Sequence, residues 1–390
     1  MLPYLRLQLV YLTASALLAL AVWWLWGRSA RVRASPRLRI GATAVSLGLA
    51  WVAGAAAALI LGRAHFSSRF SMVAFGFYWA AVCLPLVGLA AALGRRSAKP
   101  DWPLALAAVV LLAGGAWALF VEPNRLQVDE LTLRFPAWPN PAPPLRVVHV
   151  SDLQTVGSCE RESRAAELIN AFHPDLIVIT GDYIAGPFGD PEPAIAAARA
   201  FLGSLRARLG IVCVSGHSET EALRGRVLEG LDVHYLQNEE LELDLSGAGG
   251  PRRLRIFGAP AHGLDLSRFD VRREPGLVTI FVSHVPDVSW DLIGLGVDLH
   301  LAGHTHGGQI VVPGFGPPVI LSQLPRSLAR GLHPFGDHWL NVNPGIGMEG
   351  HHAPRIRFLC PPEIDCILLA GGGAPFEPRP PPSRRKRMFR

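Results

Sequence analysis

Aspartate and histidine residues follow short apolar segments at five places in the chain. In chain order, these residues are Asp152, Asp182, His217, His284 and His304. Carboxylates and imidazoles are the ligands that Mn, Fe and Zn accept in proteins. Because ligands gather at the carboxyl ends of strands in α/β sheets, five such residues in succession predict a metal site at one sheet edge.

Each of these residues, taken singly, has a simpler interpretation. Asp152 or Asp182 alone could be a helix N-cap, and His284 before Val-Pro-Asp could be an ordinary turn residue. The ordered set is the stronger observation, because five residues of metal-ligand type recur in the same position relative to an apolar segment. The set therefore favours metal binding over five unrelated structural roles.

The segments around these residues predict an α/β fold. Helices are predicted at Glu160–Phe172 and Pro193–Arg208, between apolar strands, and this alternation is typical of a sheet covered by helices. Later strands follow without long helices, which predicts a sandwich of two sheets with outer helices, of the four-layer type. The predicted strands are Val128–Phe135, Leu145–Val150, Leu176–Thr180, Ile211–Val214, Val278–Val282, Leu299–Ala302, Gln309–Val312, Trp339–Val342, Arg355–Phe358 and Ile364–Leu369.

Motifs at the strand ends resemble those of the calcineurin-like metallophosphoesterases, and among them bacterial membrane-attached members. That family carries DxH, GD, GNH[DE], a lone histidine and GHxH in this order. The resemblance extends from about Leu145 to Leu369, and Gly303-His304-Thr305-His306-Gly307-Gly308-Gln309 is its most specific part. The other matching stretches are Ser151-Asp152-Leu153-Gln154, Gly181-Asp182-Tyr183, Gly216-His217-Ser218-Glu219, Ser283-His284-Val285-Pro286-Asp287 and Asn341-Val342-Asn343-Pro344-Gly345-Ile346-Gly347.

The resemblance implies a phosphoester hydrolase with two divalent metal ions, of which Mn, Fe or Zn fit the ligand types. It makes Asp182 the bridging carboxylate and a metal-bound hydroxide the nucleophile. The first metal would be held by Asp152, Gln154 and His306. The second metal would be held by His217, His284 and His304.

Three positions depart from the family pattern. Gln154 stands where the family has a histidine ligand, and its carbonyl oxygen is a weaker ligand for a transition metal. His217 and Ser218 stand where the family has Asn-His, so the histidine that assists the leaving group is absent unless His217 takes that role. General acid assistance is worth about 10²–10⁴-fold in rate. His217 is therefore the candidate catalytic residue, and the alternative is a weakened pseudo-phosphoesterase that binds a partner.

The composition indicates a membrane protein. Half of the 390 residues are hydrophobic and 17% are charged, against about 25% in soluble domains. Four apolar runs precede residue 121 and are long enough, or nearly so, to span a bilayer. None of the four carries the embedded charge that a transport path usually needs. The predicted spans are Leu9–Trp26, Ile40–Leu61, Phe70–Leu93 and Leu104–Phe120.

Basic residues predict the orientation of these spans. Five arginines lie between residues 28 and 39, after the first run, and Arg95, Arg96 and Lys99 follow the third, whereas only Arg63 and Arg69 follow the second. The positive-inside rule places the first and third loops in the cytoplasm and the large domain outside. With one span fewer, the domain would face the cytoplasm. The net charge of +6 is explained by these loops and the basic tail, so no nucleic-acid partner is expected.

The sequence thus predicts four regions and one function. Residues 1–120 form a four-helix transmembrane region, residues 121–144 a linker with a first strand, residues 145–370 the phosphoesterase domain, and residues 371–390 a disordered basic Pro-rich tail. The protein would be a multi-pass cell-membrane hydrolase of phosphoesters, with a lipid-linked phosphoester as one candidate substrate. Spacing leaves open whether Cys360 and Cys366 pair or stay separate buried thiols.

Overall fold

The structure is a computed structural model of the full chain. It describes residue 24, parts of residues 74–89, and residues 102–383 apart from 141, 186–189, 219, 248–249, 270–272, 350–354 and 375. The chain divides into two compact units. One comprises Met1–Pro123 and Gly350–Phe358, and the other comprises Asn124–Glu349 and Leu359–Arg390.

The first sheet of the larger unit has six strands. Four neighbouring strands, β2 to β5, run parallel, β12 is antiparallel to β2, and β1 is parallel to β12. In spatial order they are β1 (Gln127–Phe135), β12 (Glu363–Gly371), β2 (Leu145–Val150), β3 (Leu176–Ile179), β4 (Ile211–Cys213) and β5 (His234–Tyr235). The two central parallel strands, β3 and β4, are short and wholly apolar, as strands covered on both sides must be.

The second sheet also has six strands, and the four central ones run parallel. Strands at both edges reverse direction, because β6 pairs antiparallel with β7 and β10 pairs antiparallel with β11. In spatial order they are β10 (Gly331–Phe335), β11 (His338–Val342), β9 (Leu299–Ala302), β8 (Leu277–Val282), β7 (Arg253–Gly258) and β6 (Glu239–Asp244).

Three helices connect the parallel strands of the first sheet and cover its outer face. They are α2 (Glu160–Ala171), α3 (Glu192–Ser204) and α4 (Glu221–Leu228). Ile169 and Phe201 pack from the helices onto the outer face of β2 and β3. The second sheet is covered instead by short 3₁₀ turns at Leu266–Arg268 and Pro286–Trp290, which contribute to a smaller apolar cluster around Phe281.

The main core lies between the two sheets. Val147, Val178 and Val212 face inward from the first sheet and pack in one buried cluster with Ile280 and Leu301 of the second. The predicted α/β sandwich with flanking helices is therefore confirmed. Burial of this apolar surface brings both sheets together so that the carboxyl ends of β2, β3, β4, β8 and β9 lie at one edge of the sandwich.

Two predicted strands are wrong, and several short elements were not predicted. Gln309–Val312 has only isolated bridges, at Ile310 and Val312, because Gln309 takes a left-handed backbone that a strand cannot accommodate. Arg355–Phe358 forms no strand, and the Arg357 N–H donates instead to the Ala118 carbonyl at 3.1 Å. The sequence analysis missed the elements β5, β6, β7, β10 and α4.

One helix among the described residues is long and apolar enough to cross a membrane. It spans Trp102–Asn124, with α1 (Trp102–Ala116) followed by a π-helical turn and a 3₁₀ turn. Leu106 and Phe120 are about two-thirds exposed or more, at 66% and 72%, which favours an apolar surrounding. Of the other predicted spans, Phe70–Leu93 is described only in part, and Leu9–Trp26 and Ile40–Leu61 lie outside the described residues, apart from residue 24.

The segment after β12 follows a defined path as far as the structure describes it. The Arg379 N–H donates to the Gly336 carbonyl, the Trp290 indole N–H donates to the Pro382 carbonyl, and the Phe376 ring packs edge-on against Trp339. Residues 384–390 of the predicted basic tail lie outside the described residues. Up to residue 383, the tail contacts the second sheet and its flanking turns.

Gly345 is expected to tolerate no side chain. Its φ is +79°, and an added Cβ would lie 2.6 Å from the Cβ of Asp152. Gly345→Ala should lower the free energy of unfolding by about 2–4 kcal/mol, because the new methyl group causes both overpacking and strain of the left-handed backbone. Gly314→Ala is the matched control, because Gly314 has φ +74° and open space around it. Gly314→Ala should lower the free energy of unfolding by only about 1–2 kcal/mol. Both values are measured by urea unfolding of the detergent-solubilised chain, and equal losses in the two variants would contradict the contact of Gly345 with Asp152.

Candidate metal centre

Five strand ends deliver the candidate ligands to one edge of the sandwich. In the first sheet, Asp152 and Asp182 follow the parallel neighbours β2 and β3, and His217 follows β4. In the second sheet, His284 and His304 follow the parallel neighbours β8 and β9. The shared direction of these strands is therefore enough to bring the side chains that follow them together.

The ligands form two groups of three. The donor atoms of Asp152, Asp182 and His306 lie within 4.8 Å of one another, and so do those of His217, His284 and His304. Asp182 also lies close to the second group, since its Oδ2 is 3.4 Å from the His284 Nε2. All the predicted ligands with acidic or imidazole side chains are thus assembled, with Asp182 between the two groups.

Hydrogen bonds fix both carboxylates. Asp182 Oδ1 accepts from the backbone N–H groups of His217 and Ser218, at 2.6 and 2.9 Å. Asp152 Oδ2 accepts from the Ser151 hydroxyl at 2.5 Å and from the His304 N–H at 2.9 Å. The other oxygen of Asp152, Oδ1, is buried and accepts no hydrogen bond within the described structure. It lies 3.2 Å from the His306 Nε2.

The three histidines of the second group pack ring against ring. Their centroids are 4.9–5.2 Å apart. The His284 Nδ1 donates to the Thr180 carbonyl at 2.7 Å, so its Nε2 faces Asp182 and the His304 Nδ1. A metal-binding histidine commonly has its second nitrogen held by a carbonyl in this way.

The residues fit a pair of divalent cations. A buried carboxylate oxygen without a hydrogen bond, a histidine with its tautomer set by a carbonyl, and two adjacent groups of three ligand atoms are what a dinuclear centre needs. A third group, Asp129, Glu363 and Asp365, lies on β1 and β12, and Arg330 already pairs with Glu363 there.

The pKa values of the two carboxyl groups are shifted apart. Burial raises the pKa of Asp152 to about 7, and the positive charge of His284 offsets this only in part. Burial also acts to raise the pKa of Asp182. The charge of His284 and hydrogen bonds from His284 and Ser218 outweigh burial and hold that pKa well below its usual value. Asp182 is therefore the carboxylate that stays ionised.

The imidazoles divide in a similar way. Burial acts to lower the pKa of His284, but the charges of Asp182 and Asp152 raise it to about 10. Burial and the charge of His284 lower the pKa of His217 to about 4 and that of His304 well below its usual value. In the metal-free protein one imidazolium balances the carboxylate charge, and a bound cation would replace that proton.

Backbone strain is concentrated at this edge. Nine described residues other than glycine have a left-handed backbone, and six of them carry or flank the ligands. Such conformations cost about 1–3 kcal/mol each and persist where the surrounding structure enforces them, often at functional sites. The six residues are Asp152, Gln154, Asp182, His304, His306 and Gln309.

A buried polar network lies behind the ligands. His149 of β2 is between the sheets, where its Nε2 is 3.1 Å from the Thr180 hydroxyl and its Nδ1 is 3.0 Å from the Asn341 amide nitrogen. Asn341 and Asn343 both donate to Asp365 Oδ2, at 2.6 and 3.0 Å. His149 is thus a structural residue.

Gln154 lies in the centre, and it brings in a residue that the sequence analysis missed. Its amide nitrogen donates to Asp182 Oδ2, to the Ser218 hydroxyl and to Glu349 Oε2. His262 was also missed, and its ring centroid is 4.6 Å from that of His217. Neither residue lies in a recognisable motif, and only the chain fold brings them here.

Comparison with known proteins agrees with this geometry. A family profile described as calcineurin-like phosphoesterase matches residues 145–308. An uncharacterized metallophosphoesterase of Bacillus subtilis, YkuE, is 31% identical over 278 residues, which are 68% of this chain and 93% of the relative. The chain belongs to the calcineurin-like phosphoesterase family. The match to a metallophosphoesterase over nearly its whole length also supports a hydrolase with bound divalent metal.

Two further relatives are similar to parts of this chain. The UDP-2,3-diacylglucosamine pyrophosphatase LpxG of Chlamydia trachomatis is 28% identical over 308 residues, covering 65% of this chain and 91% of that protein. A bovine transmembrane protein with a metallophosphoesterase domain is 27% identical over 228 residues. These cover 53% of this chain and about half, 49%, of the bovine protein.

The metal content of the purified full-length phosphoesterase should distinguish the two ligand groups. We expect about two divalent ions per chain by elemental mass spectrometry after incubation with Mn²⁺, Fe²⁺ or Zn²⁺. Asp182→Asn should lose both ions, because Asp182 lies between the groups, and His304→Ala should lose chiefly one. His234→Ala, an exposed histidine on β5, is the control and should keep both. Equal metal content in all variants would contradict the assignment.

Proposed function

We propose that this phosphoesterase is a membrane-tethered hydrolase of phosphoesters with a dinuclear metal centre. The observation that carries the proposal is Asp182, whose carboxylate lies within reach of both ligand groups and is kept ionised. One carboxylate shared by two triads of ligands is the arrangement that a pair of metals requires. Two bound metal ions would supply Lewis-acid activation of water and neutralise the charge on the phosphoryl oxygens.

The protein residues would bind, orient and hold charge. Asp182 would hold both cations together, with Asp152 and His306 on one side and His217, His284 and His304 on the other. The carboxylates of Asp152 and Asp182 keep their geometry through hydrogen bonds from backbone N–H groups, so little reorganisation is needed during turnover. His217 is the only ligand of the two groups exposed to solvent, which suits contact with the substrate.

His217 is the proposed catalytic residue in addition to being a candidate ligand. It lies at the exposed side of the centre beside His262, and the low pKa of His217 keeps its ring neutral near pH 7. A neutral imidazole can bind a metal ion or accept a proton from a substrate hydroxyl. In this role His217 would partly replace the family histidine, whose position is occupied here by Ser218.

The lipid-linked substrate rests on two observations. The helix Trp102–Asn124 can anchor the chain by its length and composition, and one similar protein is named a UDP-2,3-diacylglucosamine pyrophosphatase. The multi-pass arrangement with an extracytoplasmic phosphoesterase domain follows from the four apolar runs and their basic loops. We include both in the proposal, with residues 1–120 as the membrane region.

A second candidate function is a binding protein without turnover. It is favoured by Gln154, which turns an amide nitrogen toward Asp182 where the family has an imidazole ligand, and by Ser218, which cannot donate a proton usefully near neutral pH. Restoring the family residues should raise the catalytic rate of a working hydrolase and should produce no turnover in a binding protein.

Restoring histidine at position 218 should raise the rate if the centre is a working hydrolase. We expect Ser218→His to increase kcat on a phosphodiester with an alkoxide leaving group by about 10- to 100-fold, because the departure of such a group needs the general acid that is regained. His217→Ala should lower kcat by a similar factor. His234→Ala is the control in both cases. No turnover in any of these variants, all folded and metal-loaded, would favour the binding protein.

A substrate pair tests the lipid-linked part of the proposal. UDP-2,3-diacylglucosamine and UDP-glucosamine share the nucleotide and differ in their acyl chains. We expect kcat/KM to be at least about tenfold higher for the diacylated compound, because binding of the remote acyl chains stabilises the transition state. Equal values in detergent and in vesicles would remove the lipid preference and leave a general phosphoesterase.

A further inference from the structure

The amide of Gln154 has a defined orientation. Its nitrogen is 2.9 Å from Asp182 Oδ2, 3.1 Å from the Ser218 hydroxyl and 2.9 Å from Glu349 Oε2. Two of these partners are carboxylate oxygens, which accept hydrogen bonds and cannot donate when ionised. The NH₂ end of Gln154 therefore faces Asp182, and the carbonyl oxygen, which is the only possible metal ligand of this side chain, does not.

Glu349 is held at this place by its own backbone. The Gln309 side chain accepts from the Glu349 N–H at 2.5 Å and donates to the Glu349 carbonyl at 3.1 Å. Gln309 is fully buried and follows His304 and His306 in the same short segment. The segment that delivers two histidine ligands therefore also fixes the position of Glu349.

A second set of contacts ties Glu349 to the Asp152 turn. Two residues before Glu349, the Gly347 N–H donates to the Asp152 carbonyl at 2.7 Å, and the Ile346 N–H donates to the Ser151 carbonyl at 3.1 Å. Gly345 lies directly on the Asp152 side chain. Glu349 thus ends a strand-to-loop segment whose backbone is bonded to the turn that carries the first carboxylate ligand.

We propose that Glu349 supplies the carboxylate that completes the first metal site, in place of the imidazole that position 154 lacks. Gln154 is then a positioning residue that holds Glu349 beside Asp182, rather than a ligand. This inference rests on the proposed function, since it assumes that a cation binds between Asp152, Asp182 and His306. On metal binding, the half-buried Glu349 would exchange its bond from the Gln154 amide for a bond to that cation.

The exchange changes the chemical character of the first site. Three carboxylates and one imidazole form a harder and more negative ligand set than two carboxylates and two imidazoles. Oxygen ligands favour Mn²⁺ or Mg²⁺, whereas imidazole-rich sets favour Zn²⁺ and Fe²⁺. The first site should therefore prefer Mn²⁺, while the group of His217, His284 and His304 should accept Zn²⁺.

The decisive experiment measures Mn²⁺ binding to the purified full chain in detergent, by elemental analysis and by calorimetric titration. Glu349→Gln should weaken one of two Mn²⁺ sites by at least about 10- to 100-fold and reduce the metal retained on dialysis from about two ions to about one. Glu240→Gln, an exposed carboxylate on β6, is the matched control and should retain both ions. Circular dichroism of each variant verifies the fold.

Gln154→His adds a readout that a merely structural role of Glu349 would not change. With the imidazole restored, Gln154→His combined with Glu349→Gln should again retain about two ions, because the restored histidine makes Glu349 dispensable. Gln154→His should also shift the preference of the first site from Mn²⁺ toward Zn²⁺. Both results would support replacement of the histidine by Glu349.

Three results would overturn the inference. Full Mn²⁺ binding by Glu349→Gln would exclude Glu349 as a ligand, while the two ions of the unaltered chain would leave the proposed function intact. Loss of one ion that Gln154→His does not restore would make Glu349 a support of the fold. Absence of bound metal from the unaltered, folded chain would overturn the proposed function and this inference together.

Discussion

The centre depends on the ionised carboxylate of Asp182. Two backbone N–H groups from the turn after β4 bind one of its oxygens, while the other oxygen faces His284 and Gln154. These bonds join the turns after β3 and β4 to the second sheet. The left-handed backbone of Asp182 is tolerated because its side chain has so many partners.

The polar network between the sheets supports that arrangement from behind. His149, Thr180, Asn341 and Asp365 replace apolar packing where the two sheets approach the ligand edge. Thr180 belongs to this network through its hydroxyl and to the metal centre through its carbonyl, which holds the His284 ring. Buried polar groups fix one register more strictly than apolar side chains do, so the network specifies how the sheets align at the site.

Sequence reasoning could predict the parts of this structure that repeat a simple pattern. The strands before Asp152, Asp182 and His304 are continuous apolar segments, and their ends give the ligands directly. Edge strands such as β6 and β10 are half exposed and rich in charged or mixed residues, so they carry no such signal.

Glu349 shows why the remaining part of the site could not be predicted. Glu349 lies 195 positions after Gln154 in the chain, and its placement depends on bonds with Gln309 that no periodicity encodes. The residue type of Gln154 alone predicts a weak ligand that binds through its carbonyl oxygen. Which end of the amide faces Asp182 is decided by neighbours from three separate loops.

The division of the chain also has a practical meaning for how the protein can be handled. The phosphoesterase unit is interrupted after Glu349, and residues 350–358 belong with the apolar helix, where the Arg357 N–H bonds to the Ala118 carbonyl and Phe358 packs against Phe77. A soluble fragment that begins at Asn124 would keep this excursion but delete its partners. Such a fragment would lose the described contacts of Arg357 and Phe358, because the helix that carries Ala118 belongs to the same compact unit as these residues.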